Sequence, residues 1–230
     1  MVCFICREKK LYRLIFKKKD KIKSLTVPIH PIDTKFYKKN KKINKKKIIH
    51  YGFIGRPDFD KGFNHLIDAF KNIKTDNCTL DLMLPYRKFW KNKNIILNFR
   101  KYKKINIMIN RFNKFDVLNF YKKIDVLISP SIEGPYHMEQ DGQVLLESLS
   151  CQNIAISSNV GFFKDIKTTN AFFKINIVNI KKFYNIILKI NKNYNKIKKF
   201  TFENRILVQK NFAIKTVNNR KISLLKKLIE

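Results

Sequence analysis

The stretch ISPSIEGPYHMEQDGQVLLESLSCQNIAISSNV, residues Ile128–Val160, decides the fold. It begins within an apolar run that starts after Asp125 and is typical of a buried strand, and Ile154–Ser157 is a second such run. Between these two runs, the apolar residues of Val144–Leu149 recur at the spacing of an amphipathic helix. Strand, polar loop, helix and strand form one βαβ unit, so this stretch predicts a parallel α/β sheet.

The polar loop Ser129–Gly142 joins the first of these strands to the helix. In open α/β sheets, ligands bind outside the carboxyl ends of the strands. A helix N-terminus also presents free N–H groups and a partial positive charge to an anion. We therefore expect the functional site at this loop.

Patterns typical of strands and helices alternate along the chain from residue 48 onward. Further runs of strand length are Ile48–Ile54, Thr79–Leu84, Ile105–Ile109 and Phe172–Val178. Helical spacing is present at 63–73, at Val117–Lys123, after the capping residue Asn179, and twice within Phe202–Glu230. This order predicts a doubly wound parallel sheet with helices on both faces.

The 230 residues carry a formal net charge of +33 and are 44% hydrophobic, enough to build a core. A surface this basic favours phosphate-rich partners or anionic lipid. However, the lysines are spread along the whole chain among asparagine and isoleucine, whereas nucleic-acid binders concentrate their charge in a patch rich in arginine. Composition therefore makes nucleic acid an unlikely partner.

Cysteine usage and hydropathy indicate a cytoplasmic protein. Cys3 and Cys6 form a single C-x-x-C, and no second pair completes a four-ligand zinc site, so we expect no metal. No apolar run approaches the roughly 18 residues that span a bilayer, and the N-terminus does not resemble a secretory signal. The lysines could hold the protein peripherally at the inner membrane surface.

The loop Gly55–Gly62 is the first candidate site. It connects a predicted strand to a predicted helix, with glycines at both ends and Arg56 and Lys61 between them. Glycine lets the backbone approach a ligand, Arg56 can bind phosphate oxygens through two N–H groups, and Lys61 adds a point charge. The alternative is a solvated turn in a lysine-rich protein.

The second candidate is the pair Glu139 and Glu147, eight residues apart with Gly142 between them. A carboxylate at a crevice can accept hydrogen bonds from the vicinal hydroxyls of a ribose or hexose. The alternatives are an exposed helical residue for Glu147 and a favourable charge near a helix N-terminus for Glu139.

Five segments, in the same order, resemble motifs of one family. They are VPIHPID with Phe36 following (27–36), FIGR…KG…LIDAF (53–70), Y…DVLISPS (121–131), the E-x7-E pair Glu139 and Glu147, and C…IAISSNVG (151–161). The family is the retaining GT-B glycosyltransferases of family 4, or glycosyl transferases group 1. The chain resembles their C-terminal, nucleotide-sugar-binding half, which implies a Rossmann-like sheet and a hexosyltransferase activity.

The resemblance also implies roles. Arg56 and Lys61 would neutralise the donor diphosphate and stabilise it as it leaves, and Glu139 would contact the transferred sugar. Glu147 would bind the ribose hydroxyls. Backbone groups of Gly55, Gly142, Gln143 and Val144 would contact phosphate or sugar. Such enzymes need no metal or other cofactor, because the basic pair replaces it.

Three departures from the family pattern bear on these expectations. Gln152 and Ile154 stand where the family has glycine and proline. Glu133 is a rival for the first glutamate, but we prefer Glu139 because its spacing to Glu147 needs no gap. About 26 residues precede the first motif, so we expect the N-terminal GT-B domain to be absent. We expect a short N-terminal remnant at 1–26, a basic linker at 27–47, the nucleotide-sugar domain at 48–200 and C-terminal helices at 201–230.

The sequence is thus compatible with three hypotheses of function. The first is a nucleotide-sugar-binding domain that transfers a hexosyl group with retention to a saccharide or lipid-linked acceptor, with a partner domain or separate chain on the acceptor side. The second is an inactive remnant of such an enzyme. The third is a basic protein that binds nucleic acid or a membrane surface, with steep salt dependence.

Overall fold

The computed structural model describes residues 30–39, 48–73, 75–86, 102–134 and 139–229. The expected N-terminal remnant at 1–26, the Cys3–Cys6 pair, and most of the expected linker at 27–47 lie outside these ranges. Of the segment that precedes the first strand, residues 30–39 are described, and they are called the N-terminal segment below. Its Ile32 forms a parallel bridge with Ala213 near the C-terminus.

A parallel sheet lies at the centre of the described residues. Its strands are β1 (Ile49–Ile54), β2 (Cys78–Pro85), β3 (Ile105–Asn110), β4 (Val126–Ser129), β5 (Ile154–Ser158) and β6 (Phe172–Ile175). They are arranged in the order β3-β2-β1-β4-β5-β6, and every neighbouring pair is parallel. The predicted doubly wound parallel sheet is confirmed.

Among the described residues, helices connect β1 to β2, β3 to β4 and β4 to β5, and three more follow β6. They are α1 (Phe63–Lys71), α2 (Lys114–Lys123), α3 (Gln143–Ser150), α4 (Ile180–Lys198), α5 (Thr201–Asn211) and α6 (Ile214–Ile229). The sequence prediction began α2 at Val117, three residues late. The helix starts earlier because Asn113 and Asp116 form a reciprocal capping box, in which each side chain accepts a backbone N–H of the other residue.

Two apolar cores lie on opposite faces of the sheet. On one face, Tyr51 and Leu80 pack with α1 and α4, through residues such as Phe70 and Phe183. The other core contains residues of α2, α3 and α5, among them Phe120, Leu145 and Val208. The purely apolar strand runs recognised in the sequence follow from this arrangement, because both faces of a parallel sheet are covered.

The strand order reverses between β1 and β4, which lie side by side although two strands separate them in sequence. Connections leaving such a pair diverge to opposite faces and open a crevice at the carboxyl ends of the strands. The loops after β1 and β4 meet at this point: the Ile132 N–H donates to the Asp60 carbonyl at 2.8 Å. The predicted position of the site is therefore a topological switch point.

Candidate nucleotide-sugar site

Glycine permits the close approach of the two loops. Gly62 has φ +64°, and a Cβ atom there would lie 1.8 Å from the Pro130 carbonyl oxygen. No other residue fits without separating the loops, because both the backbone conformation and the space exclude a side chain. Gly62 also begins α1 as its N-cap residue, so this contact sets the position of that helix relative to β4.

Lys61 and Glu139 form an ion pair across the crevice. The Lys61 ammonium donates to Glu139 Oε2 at 2.9 Å, and the Ser131 hydroxyl donates to the same oxygen at 2.7 Å. Both partners of the ion pair are more than two-thirds buried. The structure thus joins one residue from each of the two loops that the sequence singled out.

The electrostatic surroundings of Glu139 favour its ionised form. Burial alone would raise the pKa of this carboxyl. The Lys61 charge, together with hydrogen bonds from Lys61, Ser131 and the Gly142 backbone, outweighs burial and holds the pKa of Glu139 below its ordinary value. Glu139 is therefore a carboxylate at neutral pH.

The N-terminus of α3 lies directly after Glu139. Its N-cap is Gly142, with φ +55°, and no side chain caps this helix end. A Cβ atom at Gly142 would lie 2.8 Å from the Phe163 ring, so glycine is required here too. The first N–H groups of a helix have no partner within the helix, and those of Gln143 and Val144 belong to this set.

Glu147 lies one turn further along α3 and is only 5% exposed. The Tyr121 hydroxyl donates to its Oε2 at 2.9 Å. Burial raises the pKa of Glu147, and hydrogen bonds from the side chains of Tyr121, Tyr37 and Gln143 offset this only in part. The structure therefore excludes the exposed helical position that was the alternative for Glu147.

Arg56 is held by two carboxylates of its own loop. Its Nη1 lies 2.6 Å from Asp58 Oδ2, and its Nη2 lies 3.0 Å from Asp60 Oδ2. The guanidinium fork expected to bind phosphate thus contacts acidic groups in this structure. Gly55, the residue before it, follows β1 with φ +152°, and its N–H donates to the Met83 carbonyl.

The rival glutamate, Glu133, forms a different ion pair. Its Oε2 accepts a hydrogen bond from the Lys164 ammonium at 2.8 Å. Lys164 belongs to the short helical turn Gly161–Asp165 that follows β5. Of the two candidate glutamates, Glu139 is the one paired with Lys61 at the N-terminus of α3.

The structure adds site residues that sequence reasoning did not assign. Ser131 and Tyr121 lie within recognised motifs, so their positions were visible, although their contacts with Glu139 and Glu147 were not. Tyr37 and His30 come from the N-terminal segment, and His30 Nδ1 lies 3.0 Å from Asp141 Oδ2, in the loop before α3. Only the folded chain brings this segment to the site.

A family profile matches most of the chain: residues 33–205 match the glycosyl transferases group 1. The chain belongs to this family. The match begins in the N-terminal segment and extends into α5, so it covers both candidate loops and the whole sheet. The search of curated proteins found no match to this glycosyl transferases group 1 member.

Solved structures share the fold of this family member. A glycosyltransferase from Rickettsia africae ESF-5 has a TM-score of 0.79 at 19% identity, and the match covers 96% of this chain and 61% of that chain. HepE of Anabaena in complex with UDP-glucose has a TM-score of 0.70 at 15% identity, covering 89% of this chain and 57% of that chain. The chain thus spans about three-fifths of these relatives.

A third solved structure that the chain matches is a single domain, the C-terminal half of a GT-B enzyme. It is the C-terminal domain of a glycosyl transferase group 1 family protein, LpcC, from Francisella tularensis, with a TM-score of 0.66 at 15% identity. The match covers 80% of this chain and 99% of that domain. The resemblance to the C-terminal half of a GT-B glycosyltransferase is confirmed.

The described residues of this family member contain no group of three or more His, Cys, Asp or Glu side chains placed to hold a metal ion. Within the same residues, no helix has the length and apolar character needed to cross a membrane.

Proposed function

We propose that the chain binds a nucleoside diphosphate sugar at the crevice between the β1 and β4 loops and transfers the hexosyl group with retention of configuration. The observation that carries this proposal is the Lys61–Glu139 pair at the N-terminus of α3. This pair supports the proposal because it brings a cation suited to phosphate and a carboxylate suited to sugar hydroxyls to the first turn of a helix, at the switch point of the sheet.

The diphosphate and the sugar of the proposed donor each have matching groups in the chain. Arg56 and Lys61 neutralise the diphosphate and stabilise the charge that develops as it leaves, which removes the need for a metal ion. Glu139 accepts hydrogen bonds from the transferred sugar. Backbone N–H groups of Gln143 and Val144 meet phosphate or sugar oxygens, while that of Gly142 donates to Glu139.

Glu147 is the proposed ribose ligand. The carboxylate has about four acceptor sites on its two oxygens and already accepts hydrogen bonds from Tyr121, Tyr37 and Gln143, so one site remains for a ribose hydroxyl and a second hydroxyl would displace one of these donors. Burial strengthens such hydrogen bonds, because water does not compete for them. The UDP and UDP-glucose complexes of HepE support a uridine donor as the first to test.

The acceptor is a saccharide or a lipid-linked saccharide, which a further domain would hold on the other side of the crevice. The Rickettsia africae structure has about two-fifths of its length outside the match. That length is enough for an acceptor domain, supplied by a partner chain or by another part of the same protein. The lysines of the surface could place this assembly at an anionic membrane.

Thermal unfolding in the presence of UDP, GDP and their sugars tests the proposal. A ligand that binds only the native state stabilises it by about 2.7 kcal/mol at one hundred times its dissociation constant. We expect stabilisation by one nucleotide series, and its loss in Glu147→Ala or in the more conservative Glu147→Gln. Failure of every nucleotide to stabilise the wild-type chain would contradict donor binding by this chain alone, and would favour an inactive remnant or a chain that needs a partner domain to bind the donor.

The two candidate glutamates can be separated in the same assay. Glu139→Gln removes the carboxylate paired with Lys61, whereas Glu133→Gln makes the same chemical change in the carboxylate paired with Lys164. We expect Glu139→Gln to remove the extra stabilisation that the sugar gives over the free diphosphate, and Glu133→Gln to keep it. The reverse result would reassign the first motif glutamate.

The basic pair should carry the diphosphate. Arg56→Ala or Lys61→Ala should weaken donor binding by about 1–3 kcal/mol, the range for losing a hydrogen bond to a charged group. Lys164→Ala is the matched control, since it removes a nearby cation that we do not place on the donor. Unchanged donor affinity in both Arg56→Ala and Lys61→Ala would show that the diphosphate does not bind at this loop.

A further inference from the structure

The two cations of the proposed diphosphate site are already paired with carboxylates. Arg56 contacts Asp58 and Asp60, and Lys61 contacts Glu139. These five side chains carry three negative and two positive charges, so their sum is −1. The chain as a whole carries +33. A strongly negative diphosphate therefore meets a locally acidic site in a basic protein.

Acidic residues are concentrated at this edge of the sheet. The loops after β1 and β4 and the helix α3 contain six of the 17 acidic residues of the chain: Asp58, Asp60, Glu133, Glu139, Asp141 and Glu147. The charges nearest to Arg56 are carboxylates, which oppose the approach of a diphosphate. A diphosphate that binds the same two terminal nitrogens must replace these carboxylates.

The geometry of Arg56 shows how such an exchange would occur. Each terminal nitrogen of the guanidinium meets one carboxylate oxygen, Nη1 on Asp58 and Nη2 on Asp60. A phosphate offers the same two acceptors to the same fork. Asp58 is the N-cap residue of the short helical turn Phe59–Lys61, yet its side chain makes no capping hydrogen bond and is directed to Arg56 instead.

We infer that Asp58 and Asp60 are internal counter-ions that the donor diphosphate displaces from Arg56, so that donor binding is an exchange of anions. This inference rests on the proposed function. Arg56 and Asp58 are each 37% exposed, which makes their ion pair weak enough to exchange. The two aspartates orient the guanidinium and screen it from other anions.

Isothermal titration with UDP and GDP tests this exchange. Asp58→Asn and Asp60→Asn should each bind the preferred diphosphate about two- to fivefold more tightly, the factor that corresponds to losing one exposed ion pair. Asp68→Asn is the matched control: it makes the same change in α1, where Asp68 pairs with Lys71 at 3.4 Å, and should leave affinity unchanged.

A double variant separates displacement from a general change of charge. In an Arg56→Ala background, Asp58→Asn should no longer alter diphosphate affinity, since the cation for which the two anions compete is absent. Circular dichroism and the unfolding temperature of each variant establish that it is folded, and Asp60→Asn provides a second variant if Asp58→Asn is not.

The outcomes distinguish the inference from the proposed function. Suppose that both aspartate variants bind the diphosphate as tightly as the wild-type chain or more weakly, while the wild-type chain binds it. This result would contradict the anion exchange but would not contradict the proposed donor site. A gain that persists in the Arg56→Ala background would also overturn it. Binding of neither UDP nor GDP to any variant would overturn the proposed function itself.

Discussion

At the scale of single residues, two glutamates eight positions apart have opposite pKa shifts. Glu139 is ionised more readily than an ordinary glutamate, because Lys61 and Ser131 stabilise its charge. Glu147 is ionised less readily, because burial outweighs the hydroxyls that donate to it. The spacing of the pair was visible in the sequence, but the opposite shifts depend on partners that come from other parts of the chain.

These shifts predict opposite pH dependences of stability. The lowered pKa of Glu139 contributes stability that is present above the ordinary value of about 4.5 and is lost as pH falls through the folded-state pKa. The raised pKa of Glu147 means that the native state retains this proton longer than the unfolded chain, so its contribution decreases as pH rises above about 4.5.

Denaturant unfolding between about pH 3.5 and 7 measures both effects, with Glu139→Gln and Glu147→Gln compared with the wild-type chain. We expect the wild-type advantage over Glu139→Gln to increase with pH and the wild-type advantage over Glu147→Gln to decrease. Two difference curves with slopes of the same sign would contradict the assigned surroundings of one of these carboxyl groups.

At the scale of elements, the C-terminus of α3 explains one departure from the family pattern. Gln152, which stands where the family has glycine, has φ +57° and is the one described non-glycine residue with positive φ. Its N–H donates to the Leu149 carbonyl, and the Asn153 N–H donates to the Ser148 carbonyl. These two bonds form a Schellman motif, which favours glycine at the position of Gln152.

Gln152→Gly should therefore stabilise the protein by about 0.5–1 kcal/mol. The gain is the cost of the left-handed conformation for a residue with a Cβ atom, less the additional entropy that glycine loses on folding. Gln209→Gly, in the exposed part of α5, is the control and should destabilise by about 1 kcal/mol. A loss of stability in Gln152→Gly, measured by denaturant unfolding, would show that the side chain makes contacts that matter more than backbone strain.

At the scale of the whole molecule, Arg205 connects three separate parts of the chain. From α5 it donates to the Thr34 and Tyr37 carbonyls of the N-terminal segment and to the Ser150 carbonyl at the end of α3. Since the Tyr37 hydroxyl also bonds to Glu147, this arginine supports the proposed ribose ligand without contacting it.

Arg205→Ala should lower the free energy of unfolding by about 1–3 kcal/mol and weaken donor binding as well. Three carbonyl groups lose a charged donor, and the N-terminal segment that holds Tyr37 loses one of its attachments. Arg205→Lys should recover only part of the loss, since an ammonium lacks the planar fork. Arg220→Ala, which removes a guanidinium from an exposed bond to the Asn211 carbonyl, should change neither quantity by more than a few tenths of a kcal/mol. Unaltered donor affinity in Arg205→Ala would show that the attachment of the N-terminal segment does not contribute to donor binding.

The sequence by itself determined the order of strands and helices, the parallel sheet, the two loops and the spacing of Glu139 and Glu147. Those features depend on local periodicity and on residues near one another in the chain. Only the tertiary structure decided which charged groups meet, since Lys61 and Glu139 are 78 residues apart and Thr34 and Arg205 are 171 apart. Such contacts exist because β1 lies beside β4 in the sheet and the N-terminal segment packs against α5. Hydrophobic periodicity does not indicate which strands become neighbours.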